Sequence, residues 1–404
     1  MPKTIVLVAS LDTKGAELSF VKEIIRKEGI NTLVVDFGVL GRPGFAPDID
    51  RKIVAEAGGR TIEHLSSGER KDEAMRVMAD GLAAIVANLY EDRRLDGILG
   101  MGGTGGTSIA TTAMRALPVG VPKVMISTVG GGDVSAYAGT RDITFVPSIV
   151  DVAGLNRISR RIYANGAGAI VGMVKQEVAP PGTEEKPLIA ASMFGNTTKS
   201  VDNARGILTG AGYEVLVFHA TGTGGRTMED LIADNYFRAL LDITTTELAD
   251  YVCGGVFDAG PARCQAAGRA GIPVVMVPGC VDMANFGAPA TVPERYRGRR
   301  LYEWNANVTL LRTDIDENVK IGLMIAAAAN SAKGPVAIVI PLRGVSMLDS
   351  EGGKFWDPDA DNACFETIRS NVRSGVRVIE LDLNINDVKF STAAANELLA
   401  MLSG

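Results

Sequence analysis

The sequence predicts an α/β protein of two Rossmann-like lobes with mostly parallel sheets, related by an internal duplication and separated by an inter-lobe cleft. Three observations predict it. Short apolar runs without polar alternation recur between helix-period segments, the pattern of strands covered on both faces by crossover helices. A stretch rich in proline, glycine and charge, EVAPPGTEEKP at residues 177–187, divides the 404 residues near the middle. The segments on either side open alike, as TIVLVASLDTKGAELSFVKEIIRKEGINTLVVDFG and as PLIAASMFGNTTKSVDNARGILTGAGYEVLVFHATG. In each, an apolar run leads into a polar loop beginning at Ser10 or Ser192, and Gly29 or Gly212 closes the helical segment before a second β-rich run. Lys14 and Lys199 fall in corresponding loops, with one extra residue in the second copy. The division gives a first α/β lobe at residues 1–178, a second Rossmann-like lobe at 187–404 and a linker at 179–186.

Along the chain, Thr4 to Ala9 reads as a first strand, because Asp12 and Lys14 follow too soon for a signal peptide. Helix periodicity from Lys71 to Tyr90 leads to a strand at Gly97 to Leu99, then a glycine loop, a helix to Leu117 and a strand at Lys123 to Ser127. In the second half, strands are expected at Val215 to Phe218, Val252 to Val256, Val274 to Val277, Val308 to Leu311, Val336 to Ile340 and Val376 to Leu381.

Composition narrows the function. Apolar residues at 46% and charged residues at 22% supply a sizeable core. A net charge of −6 without a long basic run argues against nucleic acid as the main ligand. Two histidines leave no His-rich metal site, and four cysteines without CxxC spacing suit a reducing compartment. No segment has the eighteen or so apolar residues of a membrane helix, so a soluble, cytoplasmic protein with no membrane contact is expected.

Chemistry is expected on loops at strand C-terminal ends, where ligands bind in such sheets. The strongest is DGILGMGGTGGT, from Asp96 to Thr107, ahead of a helix. Gly102, Gly103, Thr104, Gly105, Gly106 and Thr107 can bring backbone amides and a helix dipole onto a phosphate. Gly100, Gly102 and Gly105 match GxGxxG, but no acid stands near twenty residues on to hold a ribose, and a packing turn of small residues is the alternative. Thr128, Gly130, Gly131 and Gly132 precede Asp133, which can reach a Mg²⁺ or cap the next helix. Ser10, Asp12, Thr13 and Lys14 open the first helix, with Lys14 for a phosphate and Asp12 for a metal or a cap; the spacing is not that of a P-loop. In the second half, His219 and Arg226 flank TGTGG and suit acid–base work or anion binding. Arg343 begins a long charged stretch, PLRGVSMLDSEGGKFWDPDAD, expected to act as a lid or substrate loop carrying Ser346, Asp349 and Trp356. Cys280, with Asp282 and Asn285 in VPGCVDMANFGA, is a nucleophile or an inert buried thiol.

Five stretches in order, MGGTGGTSIATTAM, ISTVGGGDVSAY, FHATGTGGRTMEDLI, PGCVDMANFGAP and PLRGVSMLDSEGGKFWDPDA, resemble a widespread family of uncharacterised bacterial and fungal proteins. That family includes the N-terminal part of a plant tobamovirus-resistance protein, an ATP-binding inhibitor of viral RNA replication. The resemblance covers essentially the whole chain. It implies ATP and Mg²⁺ bound by the first of two Rossmann-like subdomains, and a homodimer. Nucleotide contacts would then fall on Ser10 to Lys14, Gly102 to Thr107 and Thr128 to Asp133. One function follows as an expectation: an ATP- and Mg²⁺-dependent enzyme on a small anionic metabolite in the cleft, with His219, Arg226 and Arg343 around the substrate. The alternative is a non-catalytic nucleotide-binding protein that presents a surface to a partner.

Overall fold

The computed structural model describes residues 3–66, 70–177 and 185–403. The chain forms two compact units, residues 1–180 and 181–404, and most of the expected linker lies outside the described residues.

The first unit runs β1 (Thr4–Ala9), α1 (Leu11–Lys27), β2 (Asn31–Asp36), α2 (Arg51–Ala57), α3 (Ile62–Leu65), α4 (Lys71–Glu91), β3 (Gly97–Gly102), α5 (Thr104–Arg115), β4 (Lys123–Ser127), α6 (Ser135–Ala138), β5 (Thr144–Pro147) and α7 (Arg157–Lys175). Its five strands are parallel in the order β2-β1-β3-β4-β5. The unbroken apolar run of β1 is divided by the pleat. Val6 and Val8 enter a core shared with α4 and α5, while Ile5, Leu7 and Ala9 enter one shared with α1 and α7. Burial on both faces removes the polar alternation a one-sided strand would show.

The second unit runs β6 (Leu188–Met193), α8 (Thr198–Gly210), β7 (Glu214–His219), α9 (Thr223–Ala233), β8 (Ala239–Thr244), α10 (Thr246–Cys253), α11 (Ala266–Ala270), β9 (Val274–Gly279), β10 (Met283–Phe286), β11 (Leu301–Asn305), β12 (Val308–Arg312), α12 (Ile315–Ser331), β13 (Val336–Pro341), α13 (Pro358–Asn371), β14 (Arg377–Leu381) and α14 (Val388–Ser403). Its parallel sheet has the order β7-β6-β8-β9-β13-β14. Read from the second strand outward, five of these positions repeat the first unit: β2-β1-β3-β4-β5 corresponds to β7-β6-β8-β9-β13. Registers agree as well, since Thr4 opposes Asn31 where Leu188 opposes Glu214. The duplication read from the two openings is therefore a repeated sheet topology.

Two expectations change. Val252 does not start a strand: it lies in the last turn of α10, which Gly254 ends with a left-handed φ of 73°. The strand of that region is β8, just upstream. Val308–Leu311 is a strand, but β12 pairs antiparallel with β10 and β11 in a separate three-stranded sheet.

The fold also explains two of the three GxGxxG glycines. A Cβ on Gly100 would stand 2.9 Å from Ala110 Cβ, and one on Gly102 would stand 3.0 Å from Gly106 Cα. Both let α5 lie flat on β3. Gly100→Ala should therefore cost about 1–3 kcal/mol in urea unfolding, as overpacking does; a variant as stable as the parent would remove the packing role.

Candidate functional site

The first unit's sheet reverses at β1: β2 lies on one side, and the chain then crosses back to place β3 on the other, so the crevice at that switch point is the expected ligand position. A cavity of about 590 Å³ lies there. The start of α1 forms one side of it, through Ser10, Asp12, Thr13 and Lys14. The start of α5 forms the floor, through Gly102, Gly103, Gly105 and Gly106. Phe37, Val39 and Leu40 after β2, Leu65 of α3, and Ala74 and Met75 of α4 complete an apolar wall.

The first amides of a helix have no intrahelical partner, and where they go decides what the site can do. At α1 most are taken: Leu11 N–H goes to Asp36, and Thr13 and Lys14 N–H go to Ser10 O at 3.2 and 2.8 Å. The buried Asp36 carboxylate accepts from Leu11 N–H at 2.9 Å and from Gly38 N–H at 2.8 Å. Arg51 Nε holds its other oxygen at 2.9 Å. At α5 they are not. Thr107 N–H donates to Gly103 O, but Thr104, Gly105 and Gly106 N–H meet no acceptor among the described residues. Lys14 and Lys71 line the same cavity, and the side chain of neither has an ion pair or hydrogen bond among the described residues. Unsatisfied amides at a twelve-residue helix's N-terminus, in a cavity that two lysines also line, are an arrangement suited to an anion.

The other expected residues of this unit divide. Asp12 lines the cavity with its carboxylate committed: Oδ1 accepts from Ser10 Oγ at 2.6 Å, and Oδ2 from Leu40 N–H at 3.2 Å and Gly41 N–H at 2.9 Å. Burial opposes its charge, but these bonds and Arg51 outweigh it and hold the carboxyl below its usual range. Asp12 therefore ties the loop after β2 to α1. Thr107 is buried; its hydroxyl donates to Gly103 O and shares a 2.6 Å contact with Ser127 Oγ, so it fastens α5 to β4. Thr104 is exposed and is not part of the cavity lining. Thr128 and Gly131 line a different depression beside Pro147 to Asp151, with Gly130 and Gly132 in the same loop. Asp133, expected on a metal, is exposed outside the cavity and accepts from Ser135 N–H at 2.9 Å. Among the described residues no group of three or more His, Cys, Asp or Glu side chains could hold a metal ion.

In the second unit the corresponding crevice is filled from within. Registers place Asp242 where the first unit has Gly100, and Glu247 where it has Gly105. The fully buried Arg263 donates to Asp242 Oδ2 at 2.6 Å, Asp242 Oδ1 at 2.7 Å, Glu247 Oε2 at 2.6 Å and Glu229 Oε1 at 3.2 Å. Glu247 also accepts from Gly222 and Gly225 N–H at 2.7 and 3.1 Å. The TGTGG loop, expected to bind an external anion, thus carries an internal one, and a Cβ on Gly225 would lie 2.1 Å from that carboxylate.

The three residues expected to be catalytic do not converge. His219 ends β7 and Arg343 follows β13, four strand spacings apart, or about 19 Å across the sheet. His219 is exposed, its ring edge-on to Phe194 at 6.0 Å, and its imidazole has no hydrogen-bonding partner among the described residues. Arg226 donates to Asp258 O at 3.1 Å. Arg343 forms a surface ion pair with Asp382 at 2.6 Å. Cys280 is buried, and burial pushes its thiol far above the usual range, which makes it an inert core thiol. The stretch expected as a lid is pinned down. Arg312 donates to Phe355 O at 2.7 Å and Asp361 Oδ1 at 2.6 Å, and Ser346 Oγ donates to Asp282 Oδ2 at 2.8 Å.

Residues that sequence reasoning missed belong to two kinds. Lys71 and Met75 reach the cavity because α4 packs on α5, and Phe37 because β2 pairs with β1; no local signal marks them. Arg263 and Arg312 are ordinary arginines in sequence; each is buried amid carboxylates from distant segments.

These features define a two-unit, doubly wound α/β protein with an open switch-point cavity in its first unit and an ion cluster at the equivalent place in its second. The chain belongs to the uncharacterised protein family UPF0261: the family's N-terminal domain matches residues 3–179 and its C-terminal domain residues 186–402. A UPF0261 protein of Clostridium tetani is 50% identical over 403 residues, covering 100% of both chains. The ToMV resistance protein Tm-1(GCR237) of Solanum lycopersicum is 35% identical over 97% of this chain and 55% of its own length. The family resemblance read from the five motifs is borne out. Among solved structures, UDP-N-acetylglucosamine 2-epimerase from Rickettsia bellii covers 100% of this chain and 96% of its own at 10% identity and a TM-score of 0.25, a likeness that carries no argument. No described helix is long and apolar enough to cross a membrane.

The buried acids of the second unit give stability a definite pH dependence. Burial raises Asp250 and Asp282 from the usual 3.8 to about 7, with Asp349 adding to the shift at Asp282, and burial also raises Glu229 and Glu247. A carboxyl raised on folding stabilises fully below its unfolded value and loses that contribution as pH climbs through its folded value. The urea midpoint of the second unit's transition should therefore be higher at about pH 5.5 than at about pH 8. A midpoint that rises across that interval would contradict the protonated cluster.

Proposed function

We propose that the first unit binds ATP in the cavity between α1 and α5. The unsatisfied amides of Gly105 and Gly106 carry this reading, because both residues line a cavity whose two unpaired side chains are both lysines. The triphosphate would lie on those amides with Lys14 and Lys71 alongside, and the base against Phe37 and Met75. In size the cavity suits a nucleotide. ATP would supply a transferable phosphoryl group; the protein's part is to neutralise and orient it. Mg²⁺ would arrive on the phosphates, since Asp12 is committed to Ser10, Leu40 and Gly41, and Asp133 stands outside the cavity.

Nucleotide binding is the reading the geometry supports best. Catalysis on a small anionic metabolite would need an acid–base group held in place, and His219, Arg226 and Arg343 do not form one centre within their unit. A homodimer is proposed on the family resemblance.

Two measurements test the reading. Gly105→Val should weaken ATP binding by more than about tenfold with circular dichroism unchanged. A Cβ there meets only Met75 side-chain atoms, the nearest at 3.5 Å, so the fold accepts it while the added methyls screen the amides. Unchanged affinity in the folded variant would refute the site. Secondly, replacing Mg²⁺ by EDTA should change ATP affinity by less than about tenfold, because lysines and amides supply the neutralising charge; complete loss would return a metal ligand to the protein.

A further inference from the structure

The second unit contains a buried cluster whose charges do not balance. Asp282 follows β9, Asp349 lies in the segment after β13, and Asp361 stands in the first turn of α13; all three are buried. Among the described residues their ion pairs run to one cation. This is Arg312 of β12, whose Nη2 lies 2.6 Å from Asp361 Oδ1 and 3.9 Å from Asp349 Oδ1. Three ionised carboxyls beside one guanidinium would leave uncompensated negative charge in a dry core, and a buried acid escapes that cost by keeping its proton.

Acceptors outnumber donors in the same place. Asp349 Oδ2 accepts from Val345 N–H at 2.8 Å, and Asp282 Oδ2 from Ser346 Oγ at 2.8 Å. Asp282 Oδ1 and Asp349 Oδ1 are buried and meet no donor among the described residues. At 3.9 Å, Arg312 is too far from Asp349 Oδ1 for a hydrogen bond. The carboxyls of Asp349 and Asp361 nevertheless stand within hydrogen-bonding reach of each other. Two carboxylates in that position have no hydrogen between them, whereas a carboxyl and a carboxylate have one. We infer that Asp349 and Asp361 share a single proton, and that this proton latches residues 350–357 onto the core beneath them.

The latched segment is a cover. Its Phe355 packs in a buried cluster with Cys280, Met283 and Leu310, and Phe355 N–H donates to Leu348 O at 3.0 Å. Arg312 holds the segment's backbone as well, through Phe355 O at 2.7 Å and Asp357 O at 3.1 Å. Without the proton, Asp349 and Asp361 become like charges contending for that one guanidinium, and the segment between them is driven off. The turn before it is held differently: Asn384 Nδ2 donates to the carbonyls of Arg343, Ser346 and Asp349, bonds in which neither partner titrates. Opening is therefore confined to the residues after Asp349.

The other charged and titratable groups around the cluster do not supply the missing charge. Cys280 at the end of β9 and Cys364 of α13 are buried thiols pushed well above their usual range, so they stay neutral. Arg300 pairs with Asp357 at 3.6 Å, and Lys354 lies over the Tyr302 ring. Burial raises Asp282, Asp349 and Asp361 alike, Asp282 to about 7. Acids raised on folding stabilise below their unfolded values and lose that contribution as pH climbs through the folded ones, so the latch is closed in acid and opens in alkali.

Hydrogen–deuterium exchange of the full chain, corrected for the intrinsic rate at each pH, tests the latch. From about pH 6 to about pH 8, protection of the Gly353, Phe355 and Trp356 amides should fall more than about tenfold, as opening linked to loss of one proton requires. Strand β8 should stay protected at both. Asp349→Asn places an N–H donor where the proton lay and should make the segment's protection equal at the two pH values. It should also diminish the infrared band of protonated carboxyl seen in the parent at about pH 6. Asp361→Asn gives the same expectation from the other side and keeps the test if the first variant does not fold. Equal protection in the parent at both pH values would overturn the latch. So would a fall that persists unchanged in the folded variants, or one that β8 shares.

Discussion

Helix-start amides at the ends of parallel strands need a negative partner, and the two units of this protein meet that need differently. Every major feature of both sites follows from it. At α1 the partner is Asp36, delivered by the neighbouring strand and held by Arg51. At α9 it is Glu247, held by Arg263. At α5 no residue of the described chain fills the place. A duplicated topology therefore carries one satisfied crevice and one that still calls for an anion.

The satisfied crevice places three carboxylates around a buried guanidinium. Such a cluster is costly when fully ionised, because the desolvation of each charge must be recovered by the others. The raised carboxyls of Glu229 and Glu247 are that cost expressed as proton affinity. A second arginine, Arg312, is embedded in the same way between Asp349 and Asp361 and fixes the stretch that follows β13. Polar residues at strand ends here serve cohesion, whatever their resemblance to catalytic groups.

The open crevice is shaped by bonds that never touch its contents. Asp12 and Arg51 bind the loop from Phe37 to Gly41 against α1, which sets the apolar wall. Gly100 and Gly102 set the height of α5 over β3. Gly105, of the same motif, has space beside it and faces the cavity. One short motif thus contains packing glycines and a glycine at the site.

By itself the sequence determined the alternation of strand and helix, the halfway division, the duplicated openings, the family and the glycine loop of the first unit, because each is written in local periodicity or contiguous motifs. Val252 escaped that logic: a β-branched residue at a helix end looks like a strand until Gly254 is seen to cap it. Only the tertiary structure decided that Lys71 and Met75 join the cavity, that Asp12 is a brace, that Glu247 occupies the TGTGG amides and that His219 stands far from Arg343. Those facts depend on which segments the sheet order makes neighbours, and a carboxylate's role is set by the partners that reach it through space.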